Sequence, residues 1–159
     1  MSEWKRSSRE LSYEGLPSDM KVEIQKHVEL YNLGNILSDT VMCIQTDSEK
    51  PKKGLFGSAE TVQMGAVVTP HWLLWVVNGT KTSTTALSAL LTDIVVQDYA
   101  NTQFAKMIPD SGLEVTGKFT DVAENGSAFL GLEENAAGKK FKETVITAVQ
   151  NAKKQKQAS

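Results

Sequence analysis

The fold turns on the stretch Val67-Val68-Thr69-Pro70-His71-Trp72-Leu73-Leu74-Trp75-Val76-Val77. Two strands, 61–68 and 71–77, meet at Thr69-Pro70. Proline brings no backbone donor to a ladder, so the chain must turn or bulge there. Residues 72–77 are apolar on both faces. Such a strand lies inside a sheet covered on both sides, or has one face in a partner interface. Trp72 and Trp75 are three apart and therefore point to opposite faces. One belongs to the core. The other needs a cover, from a helix, from the N-terminal segment or from a second subunit, and both are candidate interface residues.

Moving outward, Asn78-Gly79 ends the strand. Residues 80–85 are polar and threonine-rich, and 86–91 and 93–99 give one or two more strands. Residues 113–119 alternate apolar with polar, the mark of a half-buried strand, and 127–133 return the chain after the Asn125-Gly126 turn. On the other side, 41–46 is a short β-branched and apolar strand. The stretch 47–60 is polar, holds Pro51, Gly54 and Gly57, and reads as a loop. Upstream, Leu16-Pro17-Ser18-Asp19 is a helix entry with Ser18 or Asp19 as N-cap. Met20, Ile24, Val28 and Tyr31 form the apolar stripe of that helix, which ends near Leu33. At the C-terminal end, Phe141, Val145, Ala148, Val149 and Ala152 line one face of a long helix. Lys153, Lys154 and Lys156 suit its C-terminal dipole.

One helix, about seven short strands and one closing helix make an α+β chain with a mainly antiparallel sheet. The connections are too short for βαβ crossovers. A bent sheet or open barrel, capped by the long C-terminal helix and carrying an extra N-terminal helix, is the expected architecture. The expected organisation is a flexible tail over 1–15, a helical extension over 16–37, one domain over 38–154 and a flexible tail over 155–159.

The 159 residues suit one domain. Lys and Arg number 17 against 19 Asp and Glu. That balance argues against a basic nucleic-acid coat, and no aromatic–basic stripe appears. The single Cys43 excludes an internal disulfide framework and a multi-cysteine metal site. Charges near the N-terminus stand where a secretory signal would need its apolar run, and no segment has the length of a membrane span. A cytoplasmic location is the expectation.

The run 67–77 resembles the hairpin of pleckstrin-homology-like and GRAM-like domains, in which a strand ends in Thr, the chain turns and an apolar strand follows. Residues 87–96, Leu87-Ser88-Ala89-Leu90-Leu91-Thr92-Asp93-Ile94-Val95-Val96, are similar to a later strand of that family, with looser spacing. The helix over 137–154 is similar to its capping helix. The resemblance covers 38–154. It implies a non-catalytic binding or scaffolding module.

Chemistry is sparse. His27 lies on the first helix next to Val28 and reads as a helix-surface residue. His71 opens a strand and would matter only if Glu60 or Asp93 met it in space. Two separated histidines make no metal motif. Cys43, between Met42 and Ile44, reads as a buried inert thiol. Gly54-Leu55-Phe56-Gly57-Ser58 lacks the Lys-Ser/Thr ending of a phosphate loop. No catalytic residue, metal or cofactor is expected.

Lys50, Lys52 and Lys53, followed by Leu55 and Phe56, form the candidate ligand site. The resemblance places them on the loop that binds phosphoinositides in membrane-targeting members. Three lysines could meet an anionic headgroup while the apolar pair enters the interface. The companion Arg that lipid binders carry on the next strand is absent from 61–68. The first function expected is therefore binding through protein contacts or self-association. The alternative is peripheral binding to anionic membranes through 50–56, and the third is an enzyme built around His71.

Overall fold

The computed structural model describes residues 3–52, 54–55 and 57–158. Lys53 and Phe56 of the candidate site lie outside the described residues. Among these, eight strands form two antiparallel sheets. β1 (Lys5–Leu11), β2 (Met42–Lys50), β3 (Glu60–Val68), β4 (Trp72–Gly79) and β5 (Thr82–Leu90) pair in chain order as a five-stranded meander. β6 (Ile94–Asp98), β7 (Gly112–Gly117) and β8 (Gly126–Gly131) form the second sheet. Helix α1 (Ser18–Leu30) follows β1, and α2 (Ala136–Ala158) closes the chain. The fold is α+β, as expected, and the sheets are not closed into a barrel.

Alternation along the meander divides its side chains between two cores. Met42, Ile44, Met64, Ala66, Val68, Leu73, Trp75 and Ala89 face the second sheet and α2, where Leu113, Val115, Leu130, Phe141 and Val145 meet them. Cys43, Val67, Leu74 and Val76 face α1 through Leu16, Met20, Ile24 and Val28. The both-face apolar character of 72–77 follows from this. Trp75 enters the main core, packing edge-on against Phe119 at 5.1 Å between ring centroids. Trp72, half-buried, points to the opposite face and packs against the cluster that holds the α1 side chains. Gly65 permits the close approach of α1: a Cβ there would sit 3.1 Å from Leu16 Cδ2 and 3.3 Å from Met20 Sδ.

Side chains and single backbone bonds join the sheets where no ladder does. On one side, Arg6 of β1 reaches across to Asp110, donating from Nε to Oδ1 at 2.9 Å and from Nη2 to Oδ2 at 2.6 Å. Its Nη1 donates to Ser48 Oγ at 2.7 Å. Gly131 makes room for it, since a Cβ there would lie 2.3 Å from Nη1. Next along β1, the Ser8 N–H donates to Glu133 Oε1 at 3.0 Å and Ser8 Oγ accepts the Glu133 N–H at 2.8 Å. On the other side, residues 118–121 clip over β5, with the Thr120 N–H donating to Ser88 O at 2.8 Å.

The expected loose tail over 1–15 is corrected: 5–11 is the edge strand β1, paired residue for residue with Glu49 to Cys43. It has no apolar period because its inward groups are Arg6 and Ser8, held by hydrogen bonds instead. The expected loop 47–60 shrinks to 51–59, because β1 and β3 flank the polar end of β2 and supply its ladder bonds on both sides. The expected tail after 154 is also helical, as α2 runs to Ala158.

Candidate functional site

Of the lysines expected at 50–53, the described residues include Lys50 and Lys52. Lys50 is the last residue of β2, opposite Glu60. Its Nζ pairs with Glu3 at 3.1 Å and lies 5.9 Å from the Trp4 ring centroid. Lys52 and Leu55 stand on the 51–59 connection, both exposed, Leu55 at 85%.

Sequence reasoning passed over a second apolar feature at the same pole of the molecule. The connection between β6 and β7, residues 99–111, exposes Phe104 by 49%, Met107 by 80% and Ile108 by 64%. Trp4 ties the two connections together. It lies beside Lys50, where 51–59 begins, and beside Arg6, whose guanidinium is 5.3 Å from its ring and holds Asp110 at the end of the other. Phe129 stands 5.5 Å from the same guanidinium and 5.1 Å from Tyr99. A cavity of about 230 Å³ opens among Trp4, Arg6, Val62, Met64 and Phe129. The signal available in the sequence is the set Phe104, Met107 and Ile108, whose spacing allows a helical turn. In the structure that turn forms, the Ile108 N–H donating to Phe104 O, within a run of short turns over 99–111, and the three side chains project outward.

The connection is held in shape from beneath. Buried Tyr99 donates its hydroxyl to Ile108 O. The Ala100 N–H donates to Asp98 Oδ1 at 3.1 Å, Thr102 Oγ1 to Tyr99 O at 2.8 Å, and the Ile108 N–H to Phe104 O at 2.8 Å. The acids that bracket it are engaged: Asp98 with Lys142 of α2 at 3.0 Å, Asp110 with Arg6.

Of the groups with nucleophilic or acid–base chemistry that lie elsewhere, Cys43, His27 and Ser88 are sealed. Cys43 is buried, as expected, and burial pushes its thiol up to about 12. His27, expected on the helix surface, is buried instead. Its Nε2 lies 2.7 Å from Ser88 Oγ, and that hydroxyl donates to Thr120 Oγ1 at 2.7 Å. Burial lowers the histidine below its ordinary 6.5, against a smaller upward pull from Asp121. A Ser–His pair at this distance has the spacing of a nucleophile and base, yet Ser88 is wholly buried. It pins α1 to β5. His71 is exposed at the β3–β4 turn, and its N–H donates to Thr69 Oγ1 at 3.2 Å. Glu60 opens β3 and so stands at the far end of that strand from His71. Trp75, 2% exposed, offers no surface to a partner, and Trp72 is half-buried against the α1-side cluster. Among the described residues, no group of three or more His, Cys, Asp or Glu is placed to hold a metal ion. No helix described is long and apolar enough to cross a membrane.

No family model, curated protein or solved structure matches this chain.

Proposed function

We propose that the chain is a non-catalytic binding module that acts by contact through the pole carrying 51–59 and 99–111. The observation behind this reading is the exposure of Phe104, Met107 and Ile108 on a connection that Tyr99 and Asp98 hold in shape. Exposed apolar side chains on a fixed base are suited to contact. The sealing of Cys43, His27 and Ser88 is in keeping with a role that needs no nucleophile. The pleckstrin-homology-like resemblance belongs to the same proposal, and the long C-terminal helix packed against both sheets supports it.

Protein contacts, including contacts with a second copy, are the first class of partner. Phe and Met are enriched at the centres of protein interfaces. Sedimentation velocity over a wide concentration range tests this: the wild type associates, and Phe104→Ser with Met107→Ser stays monomeric. Association unchanged in that variant would remove the pole from the reading. An anionic membrane surface is the second class, and a separate observation favours it. Residues 51–59 contain Lys52 and Lys53 and no acid, next to the projecting Leu55.

A further inference from the structure

We infer that the 99–111 connection is a membrane-docking element, whose Met107 and Ile108 enter the interface of an anionic bilayer while Lys106 meets its headgroups. The inference rests on the binding-module reading and names its partner. Three observations carry it.

The first is shape. Met107 and Ile108 are the most exposed of the connection's apolar side chains, and they stand out from the surface rather than line a groove. Projecting apolar tips fit a deformable phase, whereas a protein partner would need a pocket shaped to receive them.

The second is charge. From Tyr99 to Pro109 the sequence holds one lysine and no acid. Asp98 and Asp110, which bracket it, are each neutralised by an ion pair, at 3.0 Å with Lys142 and 2.6 Å with Arg6. The connection therefore presents positive charge beside apolar groups. Anionic lipid favours this combination, each lysine near the surface adding to the attraction. The 51–59 connection repeats it with Lys52 and Leu55, on the other side of Trp4.

The third is order. The hydrogen bonds from Tyr99, Thr102 and Ile108 hold the tip in its exposed conformation before any contact, so docking loses little backbone freedom.

The test is co-sedimentation of the full chain with phosphatidylcholine–phosphatidylserine vesicles and with pure phosphatidylcholine vesicles, at low and physiological salt. Binding is expected on the anionic vesicles only, weaker at the higher salt. Met107→Ser with Ile108→Ser is expected to lower the affinity by about tenfold or more. Lys106→Glu, a surface change that leaves the apolar tip intact, is expected to weaken binding and flatten its salt dependence. Absence of binding at low salt, or binding that Met107→Ser with Ile108→Ser leaves unchanged, overturns the inference. Sedimentation velocity on the same variants separates the two readings. If vesicles are ignored but the Met107→Ser, Ile108→Ser pair abolishes self-association, the pole is a protein-binding site and the lipid inference falls alone. If neither vesicles nor self-association respond to the pair, both fall.

Discussion

The five-stranded sheet is covered on both faces, by different means. The face toward α2 and the second sheet holds the larger hydrocarbon cluster, with Trp75, Phe119, Phe141, Ile44 and Leu73, and turns polar only at its β1 edge, where Ser8 meets Thr46 and Arg6 meets Ser48. The face toward α1 is smaller and ends in a polar pin, where His27 meets Ser88 and Ser88 meets Thr120. Burial on the first face is favourable in proportion to area and tolerates some variation in angle. A pin of directed hydrogen bonds adds little net free energy but sets position, because each buried donor or acceptor left unmade is costly. The main core therefore accounts for most of the stability. The pin fixes where α1 sits and ties it to the clip at 118–121.

Removing the large anchor of the main core should have the largest effect. Trp75→Ala is expected to destabilise by about 4 kcal/mol, and Met20→Ala on the α1 face by about 3 kcal/mol. Urea unfolding measures both, and equal losses would mean that the two faces contribute alike. Next is the Arg6 junction, which joins the sheets across their open side. Its side chain and that of Asp110 are 11% and 12% exposed. Arg6→Leu takes the guanidinium away from a nearly buried carboxylate and is expected to cost about 2–3 kcal/mol. Arg6→Leu with Asp110→Leu should recover most of that loss, since the buried negative charge goes too. A double variant no better than the single one would show that the guanidinium acts through Trp4, Phe129 and Ser48 instead.

These junctions also mark how far the sequence could be read. The hairpin at Thr69-Pro70, the alternating strand ending near Phe119 and the stripe of α2 were legible, because each is an apolar pattern with its own period. β1 was not. Its inward residues, Arg6 and Ser8, are polar, and their partners lie 104 residues away at Asp110 and 125 away at Glu133. No local period can announce such a pairing. Lys50 was assigned to a loop for the same reason, since its extended form depends on strands from both sides. The exposed pole failed in the opposite sense. Phe104, Met107 and Ile108 look like core residues by type, and only the fold reveals that little of the described chain packs over Met107 and Ile108. His27 was taken for a surface residue because it adjoins the apolar stripe rather than repeating its spacing, and Ser88, 61 positions away, gave no local clue.

The smallest expected effect is a pH dependence on the α1 face. Burial holds His27 below its ordinary 6.5, so it is neutral in the folded chain near neutral pH. With Ser88 donating to Thr120, the serine oxygen is left to accept the Nε2–H of neutral His27. Protonation adds a second N–H and a charge in a place screened from water. The unfolded chain takes up that proton near 6.5, and the folded chain only at lower pH. Between those two values the unfolded state binds more protons, so stability rises with pH there. The contribution is complete above about 6.5 and is lost as pH falls toward the depressed folded value. Urea midpoints taken from pH 8 down to pH 5 should decline in that window for the wild type, and His27→Gln should remove that part of the decline. A decline of the same size in His27→Gln would assign the titration to carboxylates. Amide exchange adds the spatial test. At the lower pH, after correction for intrinsic exchange rates, protection should fall first in α1, while the strands around Trp75 keep theirs.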